Sequence, residues 1–275
     1  MITQEIGELI DSVNELTGTV AGKMAEIDQK VDDATASVPS AIKSLADQTF
    51  YIDAISGSDS NSGGLNSPFK TIYRVQEELV NGSRIRIYLR TGQVHNIVGY
   101  GLTLQTGLIE FSFWGDYTGF DDRPTIRLTL INNSTDGTQV GHGATVRSGT
   151  VLLRGCNVEC VHDSSKTISN QAGFIGYANS AMSVIFYNAR MRLSNMPFIA
   201  AYSGYSGRDL YMSSALIEVV EDLNNNSKLI SNRNSSYHTF KLDVYSVTLG
   251  SGVTWDNLID YYDDKRNVLT NIVLP

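Results

Sequence analysis

Four ten-residue segments align without a gap, and no other feature of the chain restricts its fold so tightly. They are VLLRGCNVEC, VIFYNARMRL, LYMSSALIEV and FKLDVYSVTL, beginning at residues 151, 184, 210 and 240. Leu153, Phe186, Met212 and Leu242 make one apolar column. Val158, Met191, Ile217 and Val247 make a second, and Cys160, Leu193, Val219 and Leu249 a third. Cys156, Ala189, Ala215 and Tyr245 occupy a corner between two short strands. A further apolar pair recurs between the blocks: Phe174-Ile175, Phe198-Ile199, Leu229-Ile230 and Leu258-Ile259. A repeat of this length is too small to bury its own face, so it must stack on its neighbours. Two or three short strands per repeat, joined by loops of unequal length, predict a parallel β-helix. A β-sandwich is the competing reading, but it gives no reason for a repeated internal corner. Between the last two apolar columns lie Glu159, Arg192, Glu218 and Thr248. Stacked about 4.8 Å apart, they predict a ladder of alternating charge that sets register more than stability.

The first 46 residues follow a different period. Ile2, Ile6, Leu9, Val13, Leu16, Val20, Met24, Ile27, Val31, Ala34 and Val38 recur at steps of three and four, a heptad seam with one stutter. Such a narrow stripe needs partner helices, or else packs as a lone helix on its own body. The residues from Ile2 to Val31 are therefore the expected oligomerisation seam. Val and Ile at a with Leu at d lean toward two strands. Pro39 is expected to stop the pattern. The division expected is an attachment and oligomerisation helix over 1–46 and a β body over 47–275.

Composition removes several classes of function. The net charge of −8 disfavours backbone-driven nucleic-acid binding. No apolar run approaches the roughly 18 residues of a membrane span, and MITQEIGELI carries no basic residue of a secretory signal. Two cysteines cannot form a disulfide scaffold.

At FYIDAISGSDSNSGGLNSPFKTI (50–72) the chain resembles the opening of pectate-lyase-like right-handed parallel β-helix domains, as do RIRIYLRTG (84–92) and the run from Asp122 to Ile126. A coiled coil before such a domain resembles a bacteriophage tail fibre or tailspike. The resemblance implies a mainly β fold: a right-handed single-stranded parallel β-helix behind an α-helical coiled coil, assembled as a parallel homotrimer. It implies a virion tail protein made in the host cytoplasm. Its partners would be tail or baseplate proteins, further fibre proteins and host surface polysaccharide, with no nucleic acid and no membrane insertion. The alternative function is a polysaccharide depolymerase of the same architecture, either a glycoside hydrolase or a lyase.

Catalytic chemistry of that kind needs two carboxylates about 5–5.5 or 6.5–9.5 Å apart. Asp116, Asp121 and Asp122 fall in a turn-rich stretch, and Asp163, Glu221 and Asp222 in loops. Glu159 and Glu218 lie two repeats apart, but Arg192 between them would hold both ionised. No catalytic residue is assigned. His95, His142, His162 and His238 are scattered, so no metal site and no cofactor is expected. GSDSNSG lacks the series and distal Glu of an EF-hand and reads as a turn. Cys156 and Cys160 read as buried thiols. The expected ligand-binding residues are Tyr202, Tyr205, Arg208 and Tyr211, with Tyr237 and His238 one repeat on. Tyr among Gly and Ser offers rigid apolar contact beside adaptable polar groups, which suits sugar faces. The charged, aromatic segment 255–267 is expected to close the last repeat or to dock a further protein.

Overall fold

The computed structural model describes residues 2–176, 182–200, 208–232 and 239–274. The chain forms two compact units, Met1–Ala46 and Asp47–Pro275. In the first, Ile2–Ala46 is one helix of 45 residues that runs through Pro39. The expected stop at Pro39 is therefore corrected. Proline removes one backbone hydrogen bond from a helix interior, which weakens a helix without having to end it. No residue of this helix is buried, and the whole seam of Ile2, Ile6, Leu9, Val13, Leu16, Val20, Met24, Ile27 and Val31 is exposed.

In the second unit the chain alternates between two parallel sheets. The eight-stranded sheet contains, in chain order, Asp47–Ile52, Arg84–Arg90, Tyr100–Trp114, His142–Arg154, Met182–Tyr187, Arg208–Ser213, Phe240–Tyr245 and Val268–Thr270. The six-stranded sheet contains Val94–Val98, Thr125–Thr129, Asn157–Val161, Arg190–Ser194, Leu216–Glu221 and Thr248–Leu249. Among the described residues a third side carries a two-residue pairing, Ile199–Ala200 with Ile230–Ser231, and isolated bridges such as Ile175 with Ile199. An antiparallel pairing of Ile131–Asn132 with Gln139–Val140, a seven-residue 3₁₀ helix at Ile72–Glu78 and a one-turn helix at Trp255–Leu258 complete the regular structure described.

The fold class expected from the sequence is corrected accordingly. The described residues give two large parallel sheets with three helices, and neither a coiled coil nor a continuous third sheet is formed. Among the described residues there is no second long helix, so the seam is unpaired within the chain.

Inside the second unit, one residue of each strand faces the same residue of the next. Phe50, Ile87, Phe111, Leu153, Phe186, Met212 and Val244 form one inward column of the eight-stranded sheet. Ile126, Val158, Met191 and Ile217 form an inward column of the six-stranded sheet. Full burial of such a side chain contributes about 1.5–3 kcal/mol, so these columns dominate the stability of the unit. Phe174, Ile175, Phe198, Ile199, Leu229, Ile230, Leu258 and Ile259 are all buried, and the Phe174 and Phe198 rings stack at 5.7 Å.

The fourth repeat sits two residues away from the gapless alignment. Met212 pairs with Val244, not Leu242, and Ile217 pairs with Leu249, not Val247. The corner is therefore Val247, and Tyr245 is an exposed strand residue. A slip of two residues keeps every side chain on its own face, so alternation alone cannot detect it. The corner itself carries the register. Gly155, Asn188, Ser214 and Ser246 all take positive φ there, each followed by an apolar residue: Cys156, Ala189, Ala215 and Val247.

The strands Tyr100–Trp114 and His142–Arg154 are long because each bends at a glycine. Gly107 and Gly149 pair in register with φ of 124° and 155°. A Cβ on Gly149 would lie 1.9 Å from the Gly107 carbonyl oxygen, so no side chain fits.

Two tests follow from this packing. Tyr245→Asp is tolerated within about 0.5 kcal/mol in urea unfolding, whereas an inward, corner Tyr245 would make the same change severely destabilising. His142 lies against Tyr100 with ring centroids at 5.3 Å, and its Nε2 is 3.2 Å from Thr103 Oγ1. Burial lowers its pKa from 6.5 to about 4. The unfolded chain takes up a proton below about 6.5 that the folded chain refuses until about 4. Stability contributed by neutral His142 is thus full above that window and declines as pH falls through it. His95 is shifted the same way by burial. The urea midpoint is expected to fall between pH 7 and pH 4.5, and His142→Gln to flatten that slope.

Candidate functional site

The outward positions of the eight-stranded sheet carry a concentration of aromatic and arginine side chains. Tyr51, Tyr88 and Ser112 are in register, and Trp114 lies beside Arg90. The Tyr51 and Tyr88 rings stack at 5.1 Å, and Trp114 meets Tyr51 edge-on at 5.8 Å. Arg90 covers the Trp114 ring at 4.4 Å. Further along the same face, Tyr187, Tyr211 and Tyr245 are 42%, 37% and 50% exposed, with Tyr211 and Tyr245 rings 5.5 Å apart. Outward tyrosines on a rigid sheet lose little entropy on binding and offer both an apolar ring and a hydroxyl.

Glu110 organises the cationic part of this face. Its side chain is only 5% exposed although its position points outward. Arg84 Nη2 donates to Glu110 Oε2 at 2.6 Å, while Arg86 Nε and Arg154 Nε lie 4.0 and 3.9 Å from its carboxylate. Arg86 also donates to Asp47 at 2.9 Å. The Glu110 carboxylate holds the Arg84 guanidinium above its ordinary pKa through this hydrogen bond. Three guanidinium groups around one carboxylate leave positive charge facing solvent on a chain that is acidic overall.

The six-stranded sheet presents the charge ladder expected from the repeat, with Arg127 added at its start. Arg127 Nε donates to Glu159 at 2.7 Å and Arg192 Nη1 donates to it at 3.1 Å. Arg192 Nε and Arg190 Nε approach Glu218 less closely, at 3.6 and 3.9 Å. Thr248 is not part of this ladder, because it pairs with Leu216 rather than Ile217's outward neighbour Glu218. A cleft of about 310 Å³ opens beside the ladder, lined by Arg127, Glu159, Arg192 and Ser194 together with Val161 and Val220.

Of the expected ligand-binding residues only Arg208 and Tyr211 are described. Tyr202, Tyr205, Tyr237 and His238 lie outside the described residues. Arg208 is buried, in register with Met182 and Phe240, and its guanidinium donates to the Ala200 carbonyl at 2.8 Å. Burial lowers its pKa to about 10. Tyr211 points the opposite way from the same strand, out of the sheet. The other carboxylates are engaged locally. Asp121 pairs with Arg190 at 2.7 Å, Asp122 accepts from Thr118, Asp163 from Ser165, and Asp222 from the Asn226 and Ser227 amides. Asp59 in the GSDSNSG segment accepts from the Lys70 and Thr71 amides, which makes it a turn brace. Cys156 and Cys160 are free and buried, and burial pushes both thiols up. Among the described residues no three His, Cys, Asp or Glu side chains are grouped to hold a metal ion, and no helix is long and apolar enough to cross a membrane.

The outward array of the eight-stranded sheet escaped sequence reasoning because its members are far apart in the chain. The signal was present in RIRIYLR and LIEFSFW, whose alternate residues Arg84, Arg86, Tyr88, Arg90 and Glu110 are polar or aromatic.

No protein-family model and no curated protein sequence matches the chain. Two solved structures of the GH136 lacto-N-biosidase from Eubacterium ramulus are similar to it, the native protein and its selenomethionine derivative. They share 13% and 11% identity, each with a TM-score of 0.33, and the match covers 73% and 74% of this chain. The chain spans 34% of the length of that enzyme. The likeness is too loose to carry residues or an activity across. The resemblance to a coiled coil followed by a β-helix, as in bacteriophage tail fibres, is corrected by the fold, which among the described residues is two large parallel sheets with three helices.

Glu110→Gln leaves three arginines facing one another without their shared carboxylate. Because those arginines are partly solvated, the loss is expected at about 1–3 kcal/mol. Urea unfolding at rising sodium chloride checks the cause: screening should recover part of the loss in the variant and change the parent little.

Proposed function

We propose that the outer face of the eight-stranded sheet binds an extended polysaccharide. The observation that carries this reading is the set of half-exposed aromatic side chains on one rigid face, with Tyr51 and Tyr88 paired in register and Trp114 edge-on to Tyr51 at one end, and Tyr187 and Tyr245 both in register with Ser213, beside Tyr211, at the other. Strands about 4.8 Å apart repeat the contact along the sheet, so a polymer of repeating units meets several weak sites at once. The arginines held by Glu110 favour a glycan with acidic groups over a neutral one.

Cleavage of the bound glycan is the second reading, favoured by the unequal carboxylates of the six-stranded sheet. Glu159 and Glu218 stand two strands apart, about 9.6 Å, near the upper end of the spacing used by inverting glycosidases. Glu159 has close contacts to two arginines, whereas those of Glu218 are longer and its side chain is 36% exposed. Glu218 is the better placed of the two to carry a proton to a leaving oxygen, with Glu159 on the opposite role.

Affinity electrophoresis through gels containing acidic or neutral bacterial polysaccharides, with reducing ends measured in parallel, separates the readings. Retardation by an acidic polymer is expected. Tyr88→Ala and Tyr211→Ala should each weaken it about tenfold, the loss of one stacking contact. Retardation without new reducing ends leaves binding as the function. Release of reducing ends that Glu218→Gln abolishes selects cleavage. A chain retarded by no polymer overturns both.

A further inference from the structure

A second binding site, separate from the outer face of the eight-stranded sheet, follows from three loops that leave successive strands of the six-stranded sheet. The first loop runs from His162 to the buried Phe174 and the third from Asp222 to Leu229, while the middle one passes from Ser194 to Phe198 in three residues. Two long loops thus flank a short one and leave a cleft of about 470 Å³ between them. Asn224 Nδ2 donates across it to the Ser164 carbonyl at 3.3 Å.

Both walls are fixed by hydrogen bonds to Asp163, Asp222 and the strands behind them, with the Ser165 hydroxyl of the lining used in one of them. Asp163 accepts from the Ser165 amide and hydroxyl at 3.0 and 2.7 Å, and Asp222 from the Asn226 and Ser227 amides at 2.7 and 3.0 Å. Gln139, which is buried, exchanges backbone hydrogen bonds with Thr167 and Ser169. Asn195, fully buried with φ of 55°, receives the Leu223 amide at 2.9 Å and donates to Glu221 at 2.6 Å, which ties the third loop to the middle one. The lining itself is polar and short: Ser164, Lys166, Thr167, Asn170, Asn224 and Asn226. The side-chain hydroxyls of Ser164 and Thr167, the amides of Asn170 and Asn226 and the Lys166 ammonium make no hydrogen bond or ion pair within the described residues. Asp163 and Asp222 are bonded into their own loops, and Lys166, which feels the nearby Asp163 charge, is the one charged residue of the lining.

We propose that this cleft binds a short saccharide carrying one acidic group. Hydroxyl and amide groups that can each donate and accept match a ring of hydroxyls, and the single ammonium matches one carboxylate or sulfate. The volume lies in the range of small-ligand sites, about 300–1,000 Å³, and the braced loops need little ordering on binding.

The test uses the full chain labelled with nitrogen-15 and two probes, an unsaturated hyaluronan disaccharide, which carries a carboxylate, and neutral chitobiose. Titration is followed on the side-chain amide signals of Asn170, Asn224 and Asn226. The acidic disaccharide is expected to shift these signals and to bind about tenfold tighter than chitobiose, the effect of one charge-assisted contact. Lys166→Ala, at an exposed position, should erase that preference, and Asn226→Ala should weaken both probes. Preserved dispersion of the remaining amide signals shows that each variant is folded. Equal affinity for the two probes, or a preference that survives Lys166→Ala, overturns the acidic assignment. No shift of the three asparagine amides with either probe overturns the site. Because Tyr88→Ala leaves this cleft untouched, failure here and failure of the outer-face reading are separate results.

Discussion

The parallel pairing of each strand with the one a repeat earlier is the interaction on which everything else in the second unit depends. It places like beside like. An inward apolar side chain meets an inward apolar side chain, as Phe111, Leu153, Phe186 and Met212 do in sequence, and the same register sets the outward side chains in rows. The apolar columns supply the free energy, through removal of large side chains from water. The hydrogen-bonded ladder supplies direction and spacing. Neither would suffice alone. A strand with its inward face buried but its partner shifted by one residue would turn that face to solvent.

Corners make the stacking continuous. Where the chain passes from the eight-stranded to the six-stranded sheet it takes a left-handed residue at each level, Gly155, Asn188, Ser214 and Ser246, followed by an apolar one that fits the angle. Glycine and asparagine adopt this conformation at low cost. At Gly107 and Gly149 the requirement is stricter, because the backbone of one strand approaches that of the next where a Cβ would stand. These sites explain why loops of very different length can be inserted elsewhere without disturbing the sheets. The cleft between the Asp163 and Asp222 loops is a direct consequence, since a short connection lies between two long ones.

Charge is arranged by the same rows. Glu110 and Glu159 are both outward and both nearly buried, each enclosed by arginines from adjacent strands. A carboxylate in that position orders the guanidinium groups around it. The two sheets therefore present different surfaces. One has tyrosines beside a cationic cluster, and the other a ladder in which Glu159 is tightly held and Glu218 less so.

Much of this was legible in the amino-acid order. The repeat, the inward columns of its first three blocks, the apolar pairs of the third side and the Glu159–Arg192–Glu218 ladder all follow from residues that recur at matching positions, because stacked strands demand matching chemistry. The helical period of residues 2–38 likewise gave a helix, though not its passage through Pro39, since one lost hydrogen bond does not end a helix. Tertiary structure alone decided the rest. The two-residue slip of the fourth block is silent in an alternating pattern. That Arg208 faces inward and Tyr211 outward depends on the register of Phe240 and Asp243, which the sequence of one strand does not contain. Only the paired strands bring Arg84, Arg86 and Arg154 to Glu110, across as many as 44 residues of chain, because a row on a parallel sheet is built from one residue per repeat and has no signature in any single segment.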